Sequence, residues 1–308
     1  MESRLLDLDL PPSLVMKAEI EIQEKPAWRD GDIQAFKDMI QKEDNLNACL
    51  DDRFIIRFLR ARKYDYDRAL RMLKTYYAMK AAYPTLFSQL QPSLLASALR
   101  QNIYHILPDK DDEGRHVFII RMGLWDPNMN SMEEMFRAAL TCLEYISTDT
   151  STQVCGIVAI TDCKGLAFHH AKHFTPSLAK RCAAVLKDCF PLRFKGIHVM
   201  NEPLIVDMLF SMLKPFLSAK ILSRFHFHGE KLESLHQHVP KRILPLNYGG
   251  LKPPLPLDGS DLLQKLMDAE QWLNDLDNYG YRSKVPATKV LNSEKGNFFT
   301  GYFCLQGW

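Results

Sequence analysis

The periodicity of the apolar residues changes once along this chain, and that change limits the folds open to it. In residues 33–40, 54–59 and 67–84 apolar side chains recur every three to four positions, which is the spacing of an amphipathic helix. From residue 103 the pattern becomes a series of short β-branched runs that alternate with helical stretches. This order predicts a small all-helical domain followed by an α/β domain with a partly parallel sheet.

The α/β region contains four candidate strands. Ile103–Leu107 and Val117–Met122 flank a polar turn, whereas Cys155–Thr161 and Ile197–Met200 are short apolar runs with the length of buried strands. Helical patterns separate the later runs, as in a parallel sheet whose faces are covered by helices. We therefore divide the chain into a helical domain over 1–95, an α/β domain over 96–278 and an aperiodic, flexible tail over 279–308.

The charge balance and the cysteines restrict the partners and the compartment. The 39 Lys and Arg residues nearly balance the 37 Asp and Glu residues, so a net charge of +2 gives no general reason to bind nucleic acid. Seven cysteines without a CxxC pair suit a reducing compartment. Residues 1–10 lack the apolar core of a secretory signal, and no apolar run is long enough to cross a bilayer. We expect a cytoplasmic monomer that associates with organelle membranes transiently.

Two pairs of histidines lie close together in the sequence and are candidate ligands of a metal ion. His226 and His228 alternate along a candidate strand, and His236 and His238 follow closely. No cysteine or carboxylate accompanies them at the spacing of a known zinc site. We therefore expect structural histidines, and neither a metal nor a cofactor.

Residues 204–217 form an unusually apolar helical stretch, LIVDMLFSMLKPFL. Pro215 interrupts the pattern near its end. A helix that is apolar over most of its circumference is either buried in the core or meets a ligand or a lipid. The composition of the segment leaves both interpretations open.

Nine short motifs occur in one order through the middle of the chain. They are Arg57–Arg62 (RFLRAR), Trp125–Pro127 (WDP), Phe190–Arg193 (FPLR), Gly196–His198 (GIH), Asn201–Pro203 (NEP), Lys214–Leu217 (KPFL), His226–Gly229 (HFHG), Leu244–Leu246 (LPL) and Tyr248–Gly250 (YGG). In this order they resemble the CRAL-TRIO family. Within the family, residues 190–203 and 214–229 are most similar to the tocopherol carriers and next to the retinaldehyde carriers.

The resemblance implies a fold and a function. The fold is an α/β CRAL-TRIO lipid-binding domain, with a mixed, partly parallel sheet flanked by helices and a mobile lid helix, preceded by a small all-helical N-terminal domain. The function is the intracellular binding of a single hydrophobic lipid and its transfer between membranes. Asn247 departs from the family, which commonly has glutamate before Tyr-Gly-Gly, so the resemblance does not extend to a latch through that carboxylate.

The same resemblance implies the residues of the ligand site. Taken singly, these side chains are those of any apolar core, and they carry weight only as a set. Ala139 and Leu143 replace two serines of the tocopherol carriers, so the cargo is expected to be a tocopherol-like lipid (vitamin E) or another isoprenoid such as a retinoid. The implied pocket residues are Ile120, Phe136, Ala139, Leu140, Leu143, Ile157, Leu166, Val185, Leu186, Phe190, Leu192, Phe194 and Ile197. The implied lid residues are Val206, Leu209, Phe210, Leu213, Phe216 and Leu217.

Five basic residues match a phosphoinositide-binding cleft of the tocopherol carriers. Arginine makes bidentate contacts to phosphate, and an anionic membrane attracts nearby basic side chains by about 1 kcal/mol each. The alternative is a set of solvated charges without a partner. The resemblance implies that phosphoinositide-containing membranes promote lid opening and release through Arg62, Arg193, Lys195, Lys220 and Arg224.

Two other classes of function remain open. The chain contains no GxSxG elbow, GxGxxG loop or P-loop, so we do not expect an enzyme. Asp162 follows a candidate strand and could imitate the acid of a lipid hydrolase or isomerase, but a structural cap is the simpler interpretation. A lipid-regulated adaptor would instead act through a protein partner, using the aromatic residues of the tail, Phe298, Phe299, Tyr302, Phe303 and Trp308.

Overall fold

The computed structural model describes residues 10–283 and begins with a helical region, as predicted. Aspartates cap two of its helices. The carboxylate of Asp51 accepts hydrogen bonds from the backbone of Arg53 (2.9 Å) and Phe54 (3.3 Å), and that of Asp65 accepts one from Arg68 (3.0 Å). The helices are α1 (Pro12–Ile22), α2 (Arg29–Gln41), α3 (Asp52–Ala61), α4 (Tyr66–Ala82), α5 (Pro84–Phe87) and α6 (Ala96–Arg100).

The strands of the described residues form one large and one small sheet. They are β1 (Leu46–Asn47), β2 (Tyr104–Ile106), β3 (His116–Arg121), β4 (Ile157–Asp162), β5 (Phe194–Met200), β6 (Phe225–Phe227) and β7 (Gly280–Tyr281). The central sheet has the order β2-β3-β4-β5-β6, with β2 antiparallel to β3 and the remaining pairs parallel. This confirms the mixed, partly parallel sheet.

Helices connect the parallel strands and cover the sheet. They are α7 (Met132–Ser147), α8 (Thr150–Cys155), α9 (Phe168–Ala171), α10 (Pro176–Lys187), α11 (Ile205–Leu213), α12 (Ala219–Leu222), α13 (Leu232–His236), α14 (Ser260–Met267) and α15 (Glu270–Asp275). A capping box starts α7, because Ser131 and Glu134 each bond the other's backbone N–H. Thr175 caps α10 through the backbone of Leu178 (3.2 Å), as the Thr-Pro pair predicts. Single 3₁₀ turns lie at Pro26–Trp28, Met122–Leu124, Lys214–Phe216, Leu246–Tyr248 and Leu276–Asn278.

Among the element boundaries that differ from the sequence prediction, one lies at the start of β4 and another in the helical region after residue 259. Cys155 ends α8 instead of starting a strand, and β4 begins only after Gly156. Gly156 has a φ of +84°, and a Cβ there would lie 2.4 Å from the carbonyl of Arg193, so the turn requires glycine. The spacing of apolar residues over 260–276 predicts a single helix, but the structure interrupts it between α14 and α15. Buried positions continue at helical spacing across this break, so the sequence pattern does not reveal it.

The chain remains ordered beyond the predicted start of the tail at residue 279. Gly280 and Tyr281 form β7, which pairs antiparallel with β1 in the helical region. Just before it, the ammonium group of Lys80 donates a hydrogen bond to the carbonyl of Leu276 (2.8 Å). The C-terminal part of the described chain therefore packs on the N-terminal helices. The predicted aromatic contacts of the tail lie outside the described residues.

The central sheet separates two apolar layers, because side chains alternate along each strand. On one face, here called the front face, Phe118, Ala159 and Ile197 lie side by side and belong to one cluster with residues of α7 and α10. On the opposite face, the rear face, Ile119 and Ile160 pack under α13 and the segment that follows it. The predicted pocket residues of the strands all lie on the front side, so the ligand site has to be sought there.

Buried ion pairs join the helical region to the sheet domain. The guanidinium of Arg60 donates to Glu24 (2.6 and 2.7 Å) at the end of α1 and to Gln153 of α8 (2.7 Å). A second pair, between Arg57 and Glu144, links α3 to α7. Removing one partner of such a pair leaves an uncompensated buried charge. Two arginines of the RFLRAR motif therefore hold the two regions together.

Among the helices of residues 10–283, none combines the length and the apolar composition that crossing a bilayer requires.

Candidate ligand site

The predicted pocket residues converge between the front face of the sheet, α7 and α10. Leu140 and Leu143 of α7, Val185 of α10, and Ile157 and Phe194 of the sheet are buried members of one apolar cluster. Ile197, Phe190 and Leu192 are further buried members, and Ile120, Phe136, Ala139 and Leu186 pack at its margin. Leu166 lies apart, in a smaller cluster beside the lid segment. Apart from Leu166, the residues that the family resemblance implies therefore lie in one contiguous apolar layer.

Part of this layer remains accessible. Ile120, Ala139 and Leu186 are only half-buried although they belong to the core layer, and the same holds for Phe210 and Leu213 of α11. Side chains in the middle of a filled core are normally excluded from solvent. Their partial exposure leaves some apolar surface of this layer accessible.

The predicted lid corresponds to α11 and the 3₁₀ turn that follows it. The Phe210 ring packs on Phe225 (5.1 Å between centroids) and on Phe227 (5.0 Å), both from β6. Val206 and Leu209 pack in the small cluster that contains Leu166. Leu213 and the buried Leu217 contact the main cluster. The inner side of α11 thus lies against the apolar layer.

The exposed side of α11 and its flanking residues carries large apolar side chains beside the polar Asp207 and Ser211. Leu204 is 89% exposed, Met208 44% and Phe216 37%. On the neighbouring helix α9, Phe168 is 69% exposed. Large exposed apolar side chains that lie near one another are typical of surfaces that meet a partner or a membrane. The lid segment therefore exposes several large apolar side chains to solvent in addition to those that it buries.

Four of the predicted basic residues lie where β5, β6 and α12 meet, and we call them the basic cluster. Arg193 precedes β5, Lys195 lies on it, Lys220 belongs to α12 and Arg224 precedes β6. Burial lowers the pKa of Arg193 and of Arg224. Burial and repulsion from neighbouring cations, Arg224 first among them, lower the pKa of Lys220. Cations that repel one another in this way form a site suited to a multiply charged anion.

Two cations that sequence reasoning missed extend the basic cluster. Lys63 and Arg68, from the turn between α3 and α4 and from α4 itself, both repel Lys220. Their distance along the chain is the reason for the omission. Only the packing of the helical region on the sheet domain brings them near α12.

Two of the predicted basic residues are already paired with acids. Arg62 donates to Asp188 (3.1 Å) and to the carbonyl of Lys187 (2.9 Å) at the end of α10. Lys195 donates to Glu21 of α1 (3.1 Å). An anionic ligand that uses these two side chains would compete with protein carboxylates.

The front face of the sheet carries one free hydroxyl group that sequence reasoning also missed. Thr161 lies between Ile120 and Val199 and is half-buried. The hydroxyl of Tyr104, on the same face, donates to the carbonyl of Met135 (2.6 Å). Within residues 10–283, the Thr161 hydroxyl has no such partner. It is the polar group of this face that remains available to a ligand.

Asp162, considered as an acid of an enzyme site, has structural partners. Its carboxylate accepts hydrogen bonds from the side chain of Asn201 (2.8 Å), the backbone of Lys164 (3.0 Å) and the hydroxyl of Tyr248 (3.0 Å). These bonds fasten the ends of β4 and β5 to the Tyr-Gly-Gly segment. The side chain of Asn247 accepts a hydrogen bond from the backbone of Leu255 (2.7 Å) and so stabilises the following loop.

The histidines lie on the rear face of the sheet, away from the apolar layer. His198 and His228 are 2.9 Å apart (Nδ1 to Nε2), and His228 is 2.7 Å from the hydroxyl of Ser234. His236 instead bonds the carbonyl of Tyr248 (2.8 Å). Over residues 10–283, no three His, Cys, Asp or Glu side chains are grouped so that they could hold a metal ion.

Known proteins resemble this chain over most of its length. The CRAL/TRIO domain profile matches residues 100–250, and the Pinta-like, UBA domain profile matches residues 25–95. Alpha-tocopherol transfer protein-like from Homo sapiens is 46% identical over 242 residues, which is 78% of this chain and 71% of that protein. Clavesin-2 from Homo sapiens is 34% identical over 292 residues, 94% of this chain and 88% of that protein. A solved structure, Sfh5, aligns with a TM-score of 0.45 and 14% identity over 85% of this chain and 99% of that one. With an apolar layer beneath a helix at the expected positions and relatives of this identity and coverage, the chain belongs to the CRAL-TRIO family.

Proposed function

We propose that this chain binds one hydrophobic lipid between the sheet, α7, α10 and α11, and carries it between membranes. The observation that carries the proposal is the partly accessible apolar layer covered by α11, a helix whose segment also exposes large apolar side chains. Burying a methylene group is worth about 0.8 kcal/mol, so a tail of about fifteen carbons gains roughly 12 kcal/mol before ordering costs. Release into water is then very slow, and the cargo leaves efficiently only when α11 moves onto a bilayer.

Membership of the CRAL-TRIO family supports a lipophilic ligand in general. The name of the 46% identical relative points to a tocopherol-like molecule. Ala139 and Leu143 offer no hydroxyl groups to the ligand, whereas Thr161 offers one. We propose an isoprenoid with few polar atoms, such as a tocopherol or a retinoid, and no enzymatic step.

We further propose that phosphoinositide-containing membranes promote the release. The basic cluster supplies four cations, and Lys63 and Arg68 add two more nearby. Each basic group near an anionic surface contributes about 1 kcal/mol to docking. Docking through these cations would hold the protein at the membrane while the exposed Leu204 and Met208 of α11 enter the lipid layer.

The cargo is tested first with the purified full-length chain and an unfractionated lipid extract. Native mass spectrometry after incubation should find one lipid per chain. Ala139→Trp fills the accessible layer and should abolish this binding, whereas Ala81→Trp, at an exposed site on α4, should retain it. A wild-type chain that takes up no lipid would overturn the carrier proposal.

The membrane step is tested by transfer of the bound lipid between vesicles. Transfer should accelerate when the acceptor vesicles contain a phosphoinositide. Combined Lys220→Ser and Arg224→Ser substitutions should remove the acceleration, whereas Lys231→Ser, at an exposed site outside the basic cluster, should not. Equal transfer rates with and without the phosphoinositide would contradict this part of the proposal.

A further inference from the structure

Helix α1 is anchored firmly beside the basic cluster. Its Ala18 and Ile22 are fully buried against Val154 and Cys155 of α8. At its end, the fully buried carboxylate of Glu24 accepts hydrogen bonds from Arg29 (3.0 Å) as well as from α3. Side chains on α1 therefore keep their positions relative to β5.

Glu21 is the residue of α1 that faces the basic cluster. Its carboxylate lies 3.1 Å from the ammonium group of Lys195 and 3.5 Å from that of Lys17. Burial alone would raise the pKa of this carboxyl, but the hydrogen bond to Lys195 and attraction from Lys195, Lys17 and Arg193 lower it overall. Glu21 is therefore ionised at neutral pH and places a fixed negative charge beside the cations.

We propose that Glu21 is a specificity determinant of the basic cluster, which sets the minimum charge that a lipid headgroup needs in order to bind there. The inference rests on the proposed membrane docking through this cluster. A headgroup with a single negative charge only takes the place of the Glu21 carboxylate beside Lys195, so it gains little binding free energy. A phosphomonoester carries about −1.5 to −2 charges at neutral pH and several acceptor oxygens, so it offers the cations more than the carboxylate does.

The ion pair between Glu21 and Lys195 is weak enough for a strongly charged headgroup to displace the carboxylate. The side chains of Glu21 and Lys195 are 29% and 28% exposed, so their pair is partly screened by solvent. A multiply charged ligand can displace such an ion pair. The ion pair still disfavours a ligand with a single charge. The carboxylate thus disfavours membranes that carry only monoanionic lipids without closing the site.

The test compares Glu21→Gln with the wild type on two kinds of vesicle. One contains phosphatidylserine, and the other contains a phosphoinositide bisphosphate at the same total charge. Glu21→Gln should bind the phosphatidylserine vesicles about two- to fivefold more tightly, the scale of one exposed ion pair, and should change less on the phosphoinositide vesicles. The matched control is Glu19→Gln, an exposed residue of the same helix in no ion pair within residues 10–283, which should behave as the wild type.

Repeating the Glu21→Gln comparison in a Lys195→Gln background distinguishes the loss of this ion pair from a general change in net charge. There, Glu21→Gln should change the binding less than it does in the wild type, because its nearest cationic partner is gone. Unchanged binding of Glu21→Gln to phosphatidylserine vesicles overturns the inference, and so does an equal gain in Glu19→Gln. The phosphatidylserine measurement does not depend on a phosphoinositide preference. A wild type without that preference would therefore contradict the proposed release step alone.

Discussion

The guanidinium of Arg57 lies 2.9 Å from the carboxylate of Glu144, and both side chains are almost completely buried. The same carboxylate accepts a hydrogen bond from the hydroxyl of Tyr76 (2.7 Å), and Arg57 also donates to Ser147 (2.5 Å). Glu144 belongs to α7, the helix that contributes Leu140 and Leu143 to the apolar layer. The position of the ligand site thus depends on contacts with the helical region.

Replacing Glu144 by glutamine should destabilise the whole protein. The substitution leaves the charge of Arg57 buried without a counter-ion, and breaking such a pair costs about 3–5 kcal/mol. Tyr76→Phe removes one hydrogen bond to the buried carboxylate and should cost less, about 1.5–3 kcal/mol. Denaturant-induced unfolding measures both. A loss below about 1 kcal/mol for Glu144→Gln would show that the pair is not needed for folding.

Replacing Phe210 by alanine should accelerate spontaneous release of the cargo. The ring packs on Phe225 and Phe227, and each aromatic contact is worth about 0.5–1.5 kcal/mol. Release from the carrier in the absence of acceptor membranes should therefore be about tenfold faster. Met208→Ala, on the outer side of α11, is the control. It should leave this release rate unchanged and weaken vesicle binding instead.

Replacing Thr161 by valine should weaken binding of a cargo that has a hydroxyl or carbonyl group. The two side chains have similar shapes, and the loss of one hydrogen bond corresponds to about 1 kcal/mol, or roughly fivefold in affinity. A pure hydrocarbon analogue of the cargo should bind the variant at least as well as the wild type. Equal losses for both ligands would assign Thr161 to packing.

Stability should fall as the pH is lowered below about 6.5, because histidines of the rear face resist protonation. Burial, followed by repulsion from His226, His228, His238 and Arg115, lowers the pKa of His198 to about 3. A histidine with a depressed pKa stabilises the fold above its unfolded value near 6.5, and this contribution is lost as the pH falls toward its folded value. Each such residue adds up to about 1.4 kcal/mol per pH unit to the slope.

The measurement is the free energy of unfolding at several pH values between 7.5 and 4.5. His198→Gln should give a shallower slope than the wild type over this range. His105, whose pKa burial lowers to about 4, contributes in both proteins, so the difference between slopes is the informative quantity. Parallel slopes for the wild type and His198→Gln would contradict the explanation.

The predictions from sequence succeeded where structure is set by near neighbours along the chain. The helices over 33–40 and 54–59 and the alternation of strand and helix follow from side-chain spacing, and the caps Asp51 and Thr175 follow from local hydrogen bonding. Helix α1 was not predicted, because it carries the exposed Met16 and Ile20 as well as buried apolar residues and so shows no single apolar stripe. The short α8 was also missed, since six residues are too few for a periodic pattern.

The sequence by itself determined the change from a helical region to an α/β region and, through its ordered motifs, the family and most residues of the apolar layer, because periodicity and motifs are read along the chain. Tertiary structure alone decided the partners of the polar residues. It assigned Arg57 and Arg60 to buried ion pairs, left the Thr161 hydroxyl without a partner in the described chain, and placed Glu21 against Lys195. Charges and hydroxyl groups act over a few ångströms in space, and their separation along the chain does not predict which of them meet.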